Sequence, residues 1–473
     1  MRERYINHRS LSLFLFILQI EKKVLYLQVI HEKIKRRFNF LKRRVTPAKR
    51  RVRKIKRRVS NLTSNKNKMK KIFTVLALAL MATPTFAQET DKSEQEGYKF
   101  TISKELPITS IKNQSKAGTC WCYSGTAFLE AELLRMNKGE YDFSEMYIVS
   151  KDYLDRAMSA IRSHGGVFYW PGGSFYDVLF CMEKYGLMPE ECMRPGVMYG
   201  DTLSDHGELS EVTGPMVSAA VKRGKLQTNK DNELLFLKAL EAVNEVYLGK
   251  APEKFNYNGK EYTPKSFFES TGLKANDYVQ ITSFTHQPYY SQFPLEIPDN
   301  WRHSLAYNVP LDELLEITDY ALENGYPVGW DSDVSEKGFK MGSKQGFAVL
   351  PATDANVSNL QGSDLSHWTG MTAGEMEEEA AKHPTPQRWV TEQERQLSYD
   401  NHETQDDHLM LIYGKAQDQI GNDYYMVKNS WGDYNTYHGI FYTSKAYFRY
   451  KTINILVHKD ALSKDMKKKL GIK

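Results

Sequence analysis

The stretch Asn113-Gln114-Ser115-Lys116-Ala117-Gly118-Thr119-Cys120-Trp121 carries the strongest chemical signal in the chain. A cysteine attacks as its thiolate, and a free thiol has a pKa of about 8.5. A helix N-terminus and a neighbouring imidazolium both favour the anion. Cys120 stands where an apolar pattern of helical spacing begins, running through Phe128, Leu129, Leu133 and Leu134 and fading near Asn137. Gln114 lies six residues earlier, on a loop that can fold back. Its side-chain amide and the Cys120 backbone N–H form a candidate oxyanion site.

A thiolate needs a base, and the base needs an orienting group. Asp407-His408-Leu409-Met410-Leu411-Ile412-Tyr413-Gly414 reads as a strand led by a histidine. Tyr424-Tyr425-Met426-Val427-Lys428-Asn429-Ser430-Trp431-Gly432 reads as a strand running into a turn. Cys120, His408 and Asn429 therefore supply a nucleophile, an imidazole and a carbonyl acceptor. Rival groups read differently. Cys122 points about 200° away from Cys120 along a helix and is expected in the core. His402 and His438 are expected in solvated loops. Cys181 and Cys192 leave a disulfide open. Four cysteines, with no clustered Cys/His spacing, give no reason to expect a metal.

In the order Gln114, Cys120-Trp121, His408, Asn429-Ser430-Trp431-Gly432, the chain resembles the papain-like cysteine peptidases. Two features narrow the resemblance. Ala117 stands where many secreted members have a disulfide cysteine. The Cys120–His408 gap is 288 residues, about twice the roughly 130–150 of papain and the cathepsins. Both features are similar to the bleomycin hydrolase/aminopeptidase C branch. So are Gly172-Gly173-Ser174-Phe175, Glu183–Pro189, Tyr307-Asn308-Val309-Pro310 and the run from Asp407 to His458.

The resemblance implies an α+β papain-like fold, with a helical half, a β-sheet half and a large helical insertion at about 195–300. It implies Cys120 as nucleophile, His408 as base and acid, Asn429 as its orienting group and Gln114 as oxyanion donor. Trp121 and Trp431 would support them, Trp431 by shielding the His–Asn hydrogen bond, and Gly172 and Gly173 would bind substrate. The reaction would be removal of N-terminal residues from peptides through a thioester acyl-enzyme, with no metal or organic cofactor. The branch also implies a homohexamer, with the C-terminal tail (about 460–473) in the cleft, but this tail is strongly basic. The alternatives are an endopeptidase with an open cleft and a catalytically silent binding protein on the same fold.

The residues beyond the motifs agree with an α+β chain. A second helical pattern follows Pro171–Ser174 through Val178, Leu179 and Met182 to Gly186, and a third spans Asn232–Leu248. Strands are expected at Tyr278–Phe284, Tyr326–Asp331, His408–Tyr413, Tyr424–Lys428 and Gly439–Thr443. Thr353–His402 is acidic and polar and reads as a surface excursion.

Charge divides the chain. Residues 1–68 hold 22 Lys+Arg against 3 Asp+Glu, whereas residues 88–473 hold 40 against 55. The acidic body gives no licence for reading a nucleic-acid surface there. Between the two parts, Met69-Lys70-Lys71, the apolar Ile72–Met81 and Thr85-Phe86-Ala87 have the three parts of a signal peptide (69–87). The apolar run is too short for a membrane anchor. The expectation is an exported peptidase of residues 88–473, periplasmic or extracellular, with 1–68 a mis-called basic extension. The rival reading makes 1–68 an arm that binds nucleic acid or anionic membrane.

Overall fold

A computed structural model describes residues 97–352 and 372–473. The basic extension (1–68) and the leader (69–87) lie outside the described residues. The cysteine-bearing stretch opens the central helix. Gly118 turns the chain at φ 66°, a conformation that side chains resist. Helix α1 (Cys120–Arg135) starts two residues later. Trp121 through Leu133 are all buried, so α1 runs through the interior rather than over the surface.

Two helices pack around α1. Ser144 caps α2 (Glu145–Arg162) by accepting the Tyr147 N–H. At the start of α3 (Phe175–Tyr185) the Asp177 carboxylate accepts from the Ser174 backbone N–H at 2.7 Å and from its hydroxyl at 3.0 Å. Gly125 allows α1 and α3 to approach, since a Cβ there would lie 2.6 Å from Val178 Cγ2.

The second half is a ten-stranded sheet. Its strands are β1 (Thr101–Glu105), β4 (Tyr278–Thr282), β5 (Gln292–Pro294), β6 (Leu305–Asn308), β7 (Val328–Ser332), β8 (Phe347–Ala348), β9 (His408–Gln417), β10 (Asp423–Lys428), β11 (Ile440–Ser444) and β12 (Thr452–His458). The order is β5-β6-β4-β12-β7-β9-β10-β11-β8, with β1 paired to β9. Strands β2 (Phe255–Tyr257) and β3 (Lys260–Tyr262) form a separate hairpin.

Strand β9 joins the halves. Successive side chains on a strand face opposite sides. Leu409 and Leu411 enter the helical core with Trp121 and Phe128, while Met410 and Ile412 enter the sheet-side core with Trp330 and Val427. The N-terminal end of β9, where His408 sits, therefore lies at the seam between the two cores.

Several expectations need revision. Strand β12 is central but was not among the expected strands. Thr452-Ile453-Asn454-Ile455-Leu456-Val457 is buried throughout, polar Thr452 and Asn454 included, so the alternation of its first four residues stops at Leu456 and Val457. Within 195–300, helices Gly207–Arg223, Leu235–Leu248 and Pro264–Thr271 precede β4, which belongs to the main sheet. Of the expected surface excursion, residues 353–371 lie outside the described residues. Its helix Glu392–Asp400 lies at the surface with one face inward: Leu397 is exposed, but Arg395 is buried, donates to Ser283 O at 2.8 Å and covers the Phe284 ring at 4.7 Å. Cys181 and Cys192 are free thiols. The tail helix Lys464–Leu470 buries Met466 and Leu470 in the sheet-side core, and Lys469 bonds Glu313 at 2.9 Å. None of its hydrogen bonds or ion pairs reaches Cys120, His408 or Gly172.

Candidate active site

Cys120 is the first residue of α1 and half-buried. The Leu409 backbone N–H at the head of β9 favours its thiolate. The packing of β9 against α1 brings together two segments almost 300 residues apart in sequence. His408 is buried beside Leu409, and its Nε2 lies 2.7 Å from Asn429 Oδ1. This bond places the proton of a neutral imidazole on Nε2 and leaves Nδ1 as the basic nitrogen. Asn429 is buried too, and its Nδ2 donates to Tyr434 Oη at 3.2 Å. The Trp431 ring lies over His408 with centroids 4.7 Å apart, and Phe339 meets Trp431 edge-on at 5.9 Å. Aromatic surface thus covers the imidazole and keeps water from its bond to Asn429.

Gln114 is held at both ends of the residue. Its backbone N–H donates to Ser430 O at 2.8 Å, and its Oε1 accepts from the Ser430 hydroxyl at 2.6 Å. The amide oxygen is thereby engaged, and Nε2 is the end left to donate. Gly432 lies against Asn113, where a Cβ would come within 3.0 Å of Asn113 Nδ2. The Asn429–Gly432 turn therefore positions the His partner and the Gln114 loop together. Sequence inspection singled out Gln114 and Asn429, but not Ser430 as the link between them.

Trp121 is fully buried and donates through Nε1 to Pro171 O at 2.9 Å, which pins the Pro171–Ser174 loop to α1. Gly173 sits against Trp121, and a Cβ there would lie 2.9 Å from its ring. Behind it, Arg302 bonds Asp177 at 2.6 Å and Asp152 at 2.8 Å. At Gly172 a Cβ would meet the Asp299 carboxylate at 2.5 Å.

Burial pushes the Cys120 thiol up to about 12, and the carboxylates of Asp299, Asp406 and Asp331 add to the rise. Burial also pulls the His408 imidazole down to about 4, against the Asn429 hydrogen bond. Burial thus opposes the charged form of each group. The three carboxylates escaped sequence inspection, although Asp406 precedes His408 by two residues. His402 is exposed in a turn at φ 64° and His438 is exposed beside Asp433, while Cys122 is buried with its thiol on Glu145 O. Among the described residues, no group of three His, Cys, Asp or Glu is arranged to hold a metal.

The model of the Peptidase C1-like family matches residues 360–472. Aminopeptidase C of Streptococcus thermophilus is 24% identical over 417 residues, which cover 79% of this chain and 86% of the relative. Aminopeptidase G of Lactobacillus delbrueckii subsp. lactis is 24% identical over 411 residues, covering 78% and 85%. Among solved structures, PepW from Lactobacillus rhamnosis matches with a TM-score of 0.57 at 18% identity, over 78% of this chain and 84% of that one. The fold is thus the papain-like α+β fold that the sequence implied. The expected export is corrected by the same comparison: the aminopeptidases that this chain resembles are intracellular enzymes. The leader at 69–87 lies outside the described residues and gives no support for export.

Proposed function

Since the chain is a papain-like cysteine peptidase of the aminopeptidase C branch, we propose that Cys120, His408, Asn429 and Gln114 remove N-terminal residues from peptides through an acyl-enzyme. His408 Nδ1 takes the Cys120 thiol proton as the sulfur attacks the carbonyl carbon. Each ion then stabilises the other, which offsets the cost of burying the two charges. The oxyanion receives hydrogen bonds from Gln114 Nε2 and the Cys120 N–H. His408 passes its proton to the departing amine as the C–N bond breaks. Water then attacks the thioester, losing a proton to His408, which returns it to the sulfur. The carboxylic acid leaves and the thiol is restored.

The observation that carries this reading is the 2.7 Å bond between His408 Nε2 and Asn429 Oδ1 under the Trp431 ring. It selects the tautomer that can serve the thiol. Peptides are the substrates, and cleavage beside the N-terminus follows the branch. A homohexamer is proposed on the same ground; light scattering after size-exclusion chromatography that found only monomer would remove that part.

The test uses the full chain and Cys120→Ala with L-leucyl-7-amido-4-methylcoumarin and its N-acetyl form, under a thiol reductant. The expected result is cleavage of the free-amine substrate alone, lost in the variant. Cleavage of the acetylated substrate would mean an endopeptidase, and activity surviving in Cys120→Ala would reject the nucleophile.

A further inference from the structure

Beside Cys120 lies a group of acidic side chains that the mechanism above does not use. Asp331 is on β7, one register position from His408: Asp331 pairs with Leu409 and Ser332 with His408. Asp406 lies just before β9. Asp299 lines Gly172. All three stand near enough to the Cys120 sulfur to oppose its ionisation.

Four neighbouring acids have cations. Asp152 and Asp177 share Arg302, Asp333 has the buried Lys451 at 3.5 Å, and Asp299 has Arg156 at 3.7 Å and the Trp170 N–H at 2.7 Å. Asp331 and Asp406 have none among the described residues. Asp331 is 1% exposed; its Oδ2 accepts from Asn454 at 2.7 Å, but its Oδ1 has no donor. Both oxygens of Asp406 are shut from solvent without a hydrogen-bond donor. The Asp331 carboxyl and the Asp299 amide face them, but neither reaches hydrogen-bond geometry. The Asn454 amide oxygen, also buried, lacks a donor as well. Four buried acceptors without donors are a strong departure from ordinary interiors, where such groups are nearly all paired.

An alkylammonium ion supplies what is missing, with one positive charge and three N–H donors. We propose that Asp331 and Asp406 bind the α-ammonium group of the substrate and so fix cleavage at the N-terminal residue. The proposal deepens the aminopeptidase reading and rests on it. The chain's own tail is anchored to Glu313 and the sheet-side core, so the selecting charge comes from inside the fold. Both carboxyls are held well above the usual range, by burial first and then by a neighbouring carboxylate, Asp406 for Asp331 and Asp299 for Asp406, and a bound cation offsets both causes. It also cancels the negative field that opposes the Cys120 thiolate, so occupancy and nucleophile activation are coupled.

The test reads binding separately from hydrolysis. Iodoacetamide alkylation of Cys120 is followed in the full chain with L-leucinamide, N-acetyl-leucinamide or Nα-acetyl-lysinamide present. Leucinamide should protect the wild type, and N-acetyl-leucinamide should not. In Asp406→Asn and in Asp331→Asn the leucinamide concentration for half-protection should rise about 10- to 100-fold, the loss of a charged hydrogen bond. Asp406→Glu should recover part of it. The KM for leucyl-coumarylamide should rise in parallel with little change in kcat. If Asp406→Asn does not fold, Asp331→Asn carries the comparison. Equal protection of variants and wild type, or no protection of the wild type, overturns the site. Protection by Nα-acetyl-lysinamide in place of leucinamide would assign the pocket to a side chain and overturn the α-amine assignment. If leucyl-coumarylamide is not cleaved but leucinamide protects, the aminopeptidase reading fails and the ammonium site stands.

Discussion

Replacing Asn429 by alanine isolates the group that orients the base. His408 Nε2 lies 2.7 Å from Asn429 Oδ1, both residues are buried, and Trp431 closes the bond from water. The alanine removes the acceptor without opening a route for solvent, so a buried N–H loses its partner. Such a loss costs about 1–3 kcal/mol. If that cost falls on the catalytic arrangement, kcat/KM drops by roughly 5- to 160-fold, since about 1.36 kcal/mol is a factor of ten. The Asn429 bond also raises the His408 pKa against burial. Its loss therefore lowers that pKa further and shifts the acid limb of the kcat/KM profile to lower pH. Leucyl-coumarylamide hydrolysis across pH 4–9 measures both effects, and circular dichroism confirms the fold. An unchanged rate with an unchanged acid limb would refute the role of Asn429.

Three further outcomes are expected. Ser430→Ala frees the Gln114 amide from its 2.6 Å anchor; kcat should fall about 5- to 10-fold, from roughly 1–1.5 kcal/mol, with KM little changed, because the oxyanion forms only during reaction. A parallel rise in KM would show that Gln114 grips the ground state instead. Lys112 binds Glu145, Glu190 and Asp142 within about 3 Å. Lys112→Met should therefore destabilise by about 3–5 kcal/mol, visible in urea unfolding; a loss below 1 kcal/mol would discount the cluster. Asp299 is raised from 3.8 to about 6, first by burial. The folded protein then holds this proton more tightly than the unfolded chain, so stability contributed by Asp299 is present at low pH and falls as pH rises from about 4 to 6. The Tm of Asp299→Asn relative to wild type should accordingly increase over that window; a flat difference would contradict the assignment.

Sequence reading reached furthest where chemistry limits the residue type and the neighbours are local. Gln114, Cys120 and Trp121 share one loop and helix start, and Asn429 through Gly432 share one turn. Only a few side chains can be nucleophile, base, orienting acceptor or oxyanion donor, so these were visible before any fold. The helix from Cys120 and the strand from His408 were equally legible, because their apolar spacing has a clear period. Strand β12 was not, since its alternation ends after Ile455, where burial on both faces gives consecutive apolar residues. The helix Glu392–Asp400 looked polar because its interior is filled by Arg395 bonding to backbone carbonyls.

Tertiary structure alone decided what depends on segments meeting across the chain. Leu409 reaches Cys120 because β9 lies against α1, a contact that no local pattern encodes. Cys181 and Cys192 both exist in sequence, but their thiols are free in the fold. Asp299, Asp331 and Asp406 come from a loop, a strand and the approach to another strand, and each alone resembles any surface acid. Their meaning arises from burial together without a cation, beside the cysteine. Residue type set the available chemistry through the atoms each side chain carries; three-dimensional packing set their solvation and partners, and with them their charge.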